Sequence, residues 1–223
     1  MLIFQTMLNK TVTIEISGEK KHTGILLDYG QDILVIYNGI NFIYIPTLHV
    51  QNIRTNDILD EEIEVPTFTP YENENKLSYR KILQHARGQF VEMYVSGTLS
   101  LHGYVTAIMN NYFVFYSPVY KTVYIPMYHM KWLIPYPNDR TPYSMERERL
   151  PVSPSVIPLT RTFEEQLQKF IGDIVVFDLG VNPYKVGLLN QIKDHFAEIV
   201  IGKGESLLLN LQHIKTVHSP KQL

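Results

Sequence analysis

The chain repeats one pattern three times. IYIPTLHVQNI begins at Ile43, VYIPMYHMKWL at Val123 and LLLNLQHIKTV at Leu207, each with a histidine at its seventh position: His49, His129 and His213. Upstream, each copy carries a glycine before an apolar run: Gly24 in GILLDY, Gly103 in GYVTAI and Gly187 in GLLNQI. The glycine-to-histidine gaps are 25, 26 and 26 residues, and the histidines themselves are spaced by 80 and 84. Two anchors that recur with one residue of slippage define three copies of one supersecondary unit.

Within a copy the signals are those of strands. Val12, Ile14 and Ile16 alternate with Thr13 and Glu15, the period of a half-buried strand. After Gly24 come ILLDY, DILVIY, FIYI and HVQNI, punctuated by Ser17-Gly18, Tyr29-Gly30 and Asn38-Gly39. Asn38-Gly39 predicts a two-residue type I′ hairpin turn, because both central positions need positive φ. Five short strands in so few residues are too little for a sandwich and suit a small, strongly bent barrel.

Helices are predicted before the second and third copies. In TFEEQLQKFI, Thr162 and Glu165 fit a capping box, and Leu167, Phe170 and Ile171 share a face. In LSYRKILQHARG, Leu77, Ile82 and Leu83 do the same and Gly88 ends the helix. The first copy has only the stub FQTMLNK. Residues 61–75 hold five glutamates, two prolines and no basic residue, while 135–161 hold six of the thirteen prolines. Proline fixes φ and deletes a donor, so both are expected as extended linkers, with Pro154 and Pro158 leading into the third copy. The expected organisation is barrel unit 1 over 1–60, an acidic linker over 61–75, and a basic, tyrosine-rich unit 2 over 76–134. A proline-rich linker over 135–161 and unit 3 over 162–219 complete it.

Composition removes several function classes. There is no cysteine, hence no disulfide scaffold, Cys-ligated zinc, iron–sulfur cluster or thiol nucleophile. A net charge of −2 argues against a protein that coats nucleic acid by charge alone. The start, MLIFQTMLNKTVTIEI, lacks the pattern of a signal peptide, and no apolar stretch is long enough for a transmembrane helix. No G-x-S-x-G, H-E-x-x-H or phosphate-cradling loop occurs. Ser100, His102 and Asp139 form no triad motif, and Gly202-Lys203-Gly204-Glu205 is expected as a hairpin turn. No enzymatic activity, cofactor or metal site is expected.

A helix followed by five bent strands, with glycine opening the second, resembles the Sm-like (SH3-like) fold, and LLLNLQHIKTV resembles its last two strands. A closer resemblance is to the N-terminal triplicated region of the spore coat protein B family of Bacillus-type endospore formers. It is carried by VTIEI, GILLDY and IYIPTLHVQNI, by VEMYV, GYVTAI and VYIPMYHMKWL, and by IVVFD, GLLNQI and LLLNLQHIKTV. The chain lacks a Gly-Gly-Pro loop between the first two strands and stops at SPKQL without a Ser/Lys-rich tail, as expected of a paralogue or shorter relative. The resemblance implies a mainly β protein of three tandem five-stranded barrels, made in the mother-cell cytoplasm and placed in the spore coat.

Each residue group that invites a chemical role also has a structural one. The matched histidines suggest a metal site, imidazole being a common ligand, yet no second ligand repeats beside them. A ring nitrogen fixing the turn between the last two strands accounts for the same position, and its protonation near pH 6 is expected to loosen all three units together. Hfq-type RNA chaperones carry a Tyr-Lys-His run at a comparable place. Here the matching stretches are Thr47-Leu48-His49, Met127-Tyr128-His129 and Leu211-Gln212-His213, which lack the lysine that attracts phosphate.

Unit 2 carries Lys76, Arg80, Lys81, Arg87, Lys121 and Lys131 against Glu92, a net +5, interleaved with tyrosines that include Tyr94, Tyr104, Tyr112, Tyr116, Tyr120, Tyr124 and Tyr128. Cations among aromatics are what single-stranded nucleic acid binding uses, so RNA binding by unit 2 is the alternative function. The acidic 61–75 segment is the competing partner for those cations, in the same chain or head-to-tail in another. Tyr136 and Tyr143, in the proline-rich segment, are the candidates for exposed tyrosine crosslinks. Pro46 and Pro126 occupy matching places at the end of the fourth strand, where the third copy has Asn210. They are expected to blunt two sheet edges and leave the third open. The function expected is a structural or interaction component of the spore coat, working through other coat proteins or self-association, without membrane insertion.

Overall fold

A computed structural model describes residues 2–55, 63–66, 77–96, 100–137, 142–145, 150 and 157–221. The protein is mainly β, and its described residues form fifteen antiparallel strands in one sheet and three helices. A one-turn helix α1 (Leu2–Gln5) precedes β1 (Thr11–Ile16), β2 (Lys20–Tyr29), β3 (Ile33–Tyr37), β4 (Phe42–Pro46) and β5 (Val50–Thr55). Helix α2 (Tyr79–Ala86) precedes β6 (Phe90–Tyr94), β7 (Leu101–Ile108), β8 (Tyr112–Ser117), β9 (Lys121–Pro126) and β10 (Trp132–Pro135). Helix α3 (Phe163–Gln168) precedes β11 (Ile174–Phe177), β12 (Val186–Lys193), β13 (Phe196–Ile201), β14 (Ser206–Asn210) and β15 (Val217–His218). Each set of five is a meander whose fifth strand returns to pair with its first.

The repeated glycines are where that meander bends. A Cβ on Gly24, Gly103 or Gly187 would stand 2.4, 1.9 or 2.5 Å from a carbonyl oxygen of the following strand, that of Tyr37, Tyr116 or Val200. Only a residue without a side chain lets the backbones come so close. Two residues on, each second strand breaks register: at Leu26/Asp28, Val105/Ala107 and Leu189/Gln191. A bulge adds twist, so glycine and bulge together curl each meander around its own apolar face.

The helices follow their sequence signals. Ser78 caps α2 by accepting from the Lys81 amide, and Thr162 and Glu165 make a reciprocal capping box on α3. Gly88 stops α2 with φ of +78°, Gly172 closes the turn after α3 with φ of +89°, and Asn9 takes a similar conformation after α1. Leu77, Ile82, Leu83, Leu167 and Phe170 are buried as expected. Ile171 is not, because α3 ends at Gln168 and the turn beyond it carries Ile171 outward.

Three apolar cores form, and none belongs to one unit alone. The third strand of a unit gives one face to its own core and the other to the next. Leu34 and Ile36 point into the first core, while Ile33 and Val35 join α2 and unit 2. Phe113 and Phe115 stay in the second core, while Tyr112 and Val114 join α3 and unit 3. This is why β8 is buried along its whole length. β13 buries Ala197, Ile199 and Ile201, and among the described residues its other face packs against no further unit.

Two expectations about turns and edges change. The Asn38-Gly39 hairpin has a four-residue loop, since β3 ends at Tyr37 and β4 starts at Phe42. The Asn38 side chain accepts from the amides of Ile40 and Asn41, and only Gly39 takes positive φ. Pro46 and Pro126 do not blunt their strands. β4 pairs with β10 through Tyr44 and Leu133, and β9 pairs with β15 through Tyr124 and Val217. Each proline lies two residues beyond the bridging tyrosine and takes no donor from it. Gly202–Glu205 does form a hairpin turn, between β13 and β14.

The acidic segment 61–75 lies outside the described residues except for 63–66, and Lys76, Asp139, Pro151 and Pro154 lie outside them entirely. Parts of the proline-rich stretch belong to the fold. Pro135 closes β10, the Tyr136 amide donates to the Phe90 carbonyl, Leu150 is buried and Ile157 packs on the third core.

Candidate interaction surfaces at the unit junctions

Units 1 and 2 meet through the same contacts as units 2 and 3. The bridging pairs Tyr44–Leu133 and Tyr124–Val217 stand at matching positions of the repeat, five residues before and four after the histidine. Lys131 Nζ donates to the Ser17 carbonyl at 2.7 Å, and Lys215 Nζ donates to Ser96 Oγ at 2.8 Å. The Gln31 amide donates to the Leu77 carbonyl, and the Asn110 amide to that of Arg161. The Asp32 carboxylate accepts from the first amide of α2 (Tyr79, 2.8 Å), and Asn111 Oδ1 accepts from the first amide of α3 (Phe163, 2.8 Å). A loop of one unit thus satisfies an otherwise orphaned helix amide of the next. Ring contacts thicken the second junction, with Tyr112 at 6.0 Å from Phe163 and Tyr124 at 5.4 Å from Phe170.

The three signature histidines each end a 3-10 turn between the fourth and fifth strands of their unit. The turns are held alike: Thr47, Met127 and Leu211 donate their amides to the carbonyls of Asp32, Asn111 and His195. His49 also bonds the first strand's end, its Nδ1 lying 3.3 Å from Ser17 Oγ and its carbonyl accepting from the Ser17 amide. Burial lowers the His49 pKa, with the Lys131 ammonium adding to the effect and the Tyr128 main chain opposing it. Burial holds His129 lower, at about 4, with Asp178 opposing, Lys215 reinforcing and the Gln212 main chain opposing. Tyr128 and Gln212 belong to the next unit's turn, so His49 and His129 each sit under a neighbour. Among the described residues His213 has no such neighbour, and it is exposed. The expected loosening on protonation therefore concerns two junction histidines rather than three equivalent ones. Among the described residues no group of three His, Asp or Glu is placed to hold a metal.

A cavity of about 180 Å3 opens at the second junction between Ser96 and Leu101 of unit 2 and the 178–185 loop of unit 3. Asp178 organises it. Its Oδ1 accepts from the amides of Lys215 (2.7 Å) and Thr216 (3.2 Å), and its Oδ2 pairs with Lys185. Asp178 and Leu179 both take positive φ, so the chain leaves β11 by a sharp bend.

Four of the cations singled out in unit 2, Arg80, Arg87, Lys121 and Lys131, make side-chain contacts inside the protein. Arg80 donates to the carbonyls of Met109 and Asn110, Arg87 to that of Thr106 and Lys121 to that of Pro118. Lys81 supplies the amide that Ser78 caps, and Lys131 crosses to unit 1 with its ammonium 5.8 Å from the Tyr94 ring centre. Of the unit 2 tyrosines, Tyr94, Tyr112, Tyr116 and Tyr124 are buried. Tyr136 is not a free linker tyrosine: its hydroxyl lies 3.0 Å from His102 Nδ1 and its ring packs edge-on against Phe90. Tyr143 is half exposed at the edge of the same cluster.

Asp32, Asn111, Ser96, Lys215 and Asp178 were not singled out from the sequence, and Ser17 was expected only as part of a turn. A signal for one of them was present, because a lysine follows the histidine by two residues in the second and third copies, where the first has Gln51. Among the described strands, β5 of unit 1 pairs with β1 alone.

Three similarities to known proteins bear on these surfaces. A family model described as the YwrJ third domain matches residues 162–217. The chain is 43% identical over 218 residues to Uncharacterized protein YwrJ of Bacillus subtilis (strain 168), covering 96% of this chain and 97% of that protein. It is 24% identical over 152 residues to Spore coat protein B of the same organism, covering 67% of this chain and 38% of that protein.

Proposed function

The chain belongs to the YwrJ family, and we propose that it is a non-enzymatic structural or interaction component of the bacterial spore coat, assembling through protein–protein contacts. The observation that carries this is the alignment with Spore coat protein B over two thirds of the chain. That protein is much longer, so the reading concerns the shared part alone. In the same reading the three meanders are tandem small barrels of the Sm-like type, the second and third each led by a helix. Their repeated strand order, glycine and bulge support it. The protein is then made in the mother cell and deposited on the forespore, with other coat proteins or further copies of itself as partners. No helix among the described residues is long and apolar enough to cross a membrane.

The carbonyl-bound Arg80, Arg87, Lys121 and Lys131 and the buried Tyr94, Tyr112, Tyr116 and Tyr124 of unit 2 favour this reading over RNA binding, which needs open ring faces and free charge. A fluorescent fusion expressed from the native promoter in a sporulating host tests it. The signal is expected to collect on the forespore surface, with the protein recovered in extracts of the coat. A signal that stays diffuse in the mother cell, with none in the coat extract, contradicts the reading.

A further inference from the structure

We infer that copies of this chain join head to tail, the free edge of β14 in one copy pairing with the free edge of β5 in the next. The sheet order runs from β14 at one end to β5 at the other. Inside the chain, a fourth strand meets the following unit's fifth strand twice, at β4–β10 and at β9–β15. Among the described strands, the ones left over are a fourth strand, β14, and a fifth strand, β5. They are the two halves of a third junction of the same kind, carried at opposite ends of one molecule.

The side chains at these ends are those of an unmade junction. The bridging positions Tyr44 and Tyr124 are 1% and 0% exposed, whereas their counterpart Leu208 is 68% exposed. On the outer face of the third strand, Ile33 and Tyr112 are fully buried, but Phe196 is 39% exposed. On the receiving side, Ile82 of α2 and Gln166 of α3 are fully buried against the preceding unit, while Ile3 at the same place in α1 is 63% exposed. His213, exposed at the β14 end, stands where His49 and His129 are covered by the next unit's turn. An open edge flanked by exposed apolar groups is a template for strand pairing. A second copy is the occupant that these edges fit, because it carries the complementary edge in the register already used twice. Joining unlike faces is a heterologous contact, which closes as a ring or grows as a filament. Among the described residues, the polar groups that hold the inner junctions also have candidates here. The Asp194–His195 turn takes the place of Asp32 and Asn111, and Gln51 that of Lys131 and Lys215.

This deepens the assembly reading by naming its partner, and purified protein tests it apart from any spore. Since the chain has no cysteine, a thiol can be placed at will. By the internal register, Leu208 of one copy faces Ile53 of another, close enough for a disulfide. Leu208→Cys and Ile53→Cys are made separately, mixed and oxidised. A crosslinked pair is expected from the mixture and neither variant is expected to crosslink alone. Leu208→Lys, at an exposed site, is expected to keep the wild-type melting temperature and to lose self-association. Crosslinking of Leu208→Cys alone, as efficient as in the mixture, overturns the proposal in favour of a symmetric contact. Folded variants that give no crosslink in the mixture overturn it altogether. Failure of coat localisation with successful crosslinking overturns only the coat reading.

Discussion

His129 is held neutral by burial between two units, with its pKa near 4 against an ordinary value of 6.5. The folded protein therefore takes up fewer protons there than the unfolded chain does below 6.5. Its contribution to stability is complete above pH 6.5 and is lost as the pH falls through about 4. The loss is about 2 kcal/mol once solvent screening of a half-buried ring is allowed for. Thermal melts over that range are expected to fall more steeply for the wild type than for His129→Gln, which has no proton to gain. Parallel curves would assign the acid sensitivity elsewhere. At the same scale, the repeated glycines and histidines were legible in the sequence because each answers a geometric demand made three times. The glycine admits a neighbouring carbonyl and the histidine ends a 3-10 turn. The roles of Asp32 and Asn111 were not legible, because each bonds a helix more than forty residues away and a repeat alignment shows only unlike residues there.

The elements themselves were largely written in local patterns. Alternation marked β1, the capping box marked α3, and Gly88 marked the end of α2. The patterns failed where tertiary contacts decide. β8 has apolar residues at nearly every position because both faces are covered, one by its own core and one by the next unit's. The Asn38-Gly39 turn widened because the Asn38 side chain caps the loop itself. Pro46 and Pro126 were misleading for a related reason: an edge is blunted only at the residue that lacks the donor, and the bridge to the next unit forms two residues earlier. The cross-unit helix caps give a test at this scale. Asn111→Ala strips the α3 amide of its partner and is expected to cost about 1 kcal/mol in urea unfolding. Asp32→Ala is expected to cost a similar amount at α2, the two effects adding because the junctions share no residue. A neutral result at both sites would mean that the helix ends are satisfied by water.

At the scale of the whole molecule, three equivalent units are joined by two equivalent junctions, and the ends match one another. What composition offered, an acidic segment opposite a basic unit, is not what the described contacts use. Arg80, Arg87, Lys121 and Lys131 serve as intramolecular braces, and the junctions are held by strand bridges, apolar faces and single lysines. The most direct measurement of the central claim is light scattering on the purified 25.9 kDa chain across concentration, with absorbance at 260 and 280 nm recorded together. The account predicts mass rising in whole multiples of one chain, with a protein-like absorbance ratio throughout. A mass fixed at one chain at the highest attainable concentration, or a particle whose growth depends on bound nucleic acid, would contradict it.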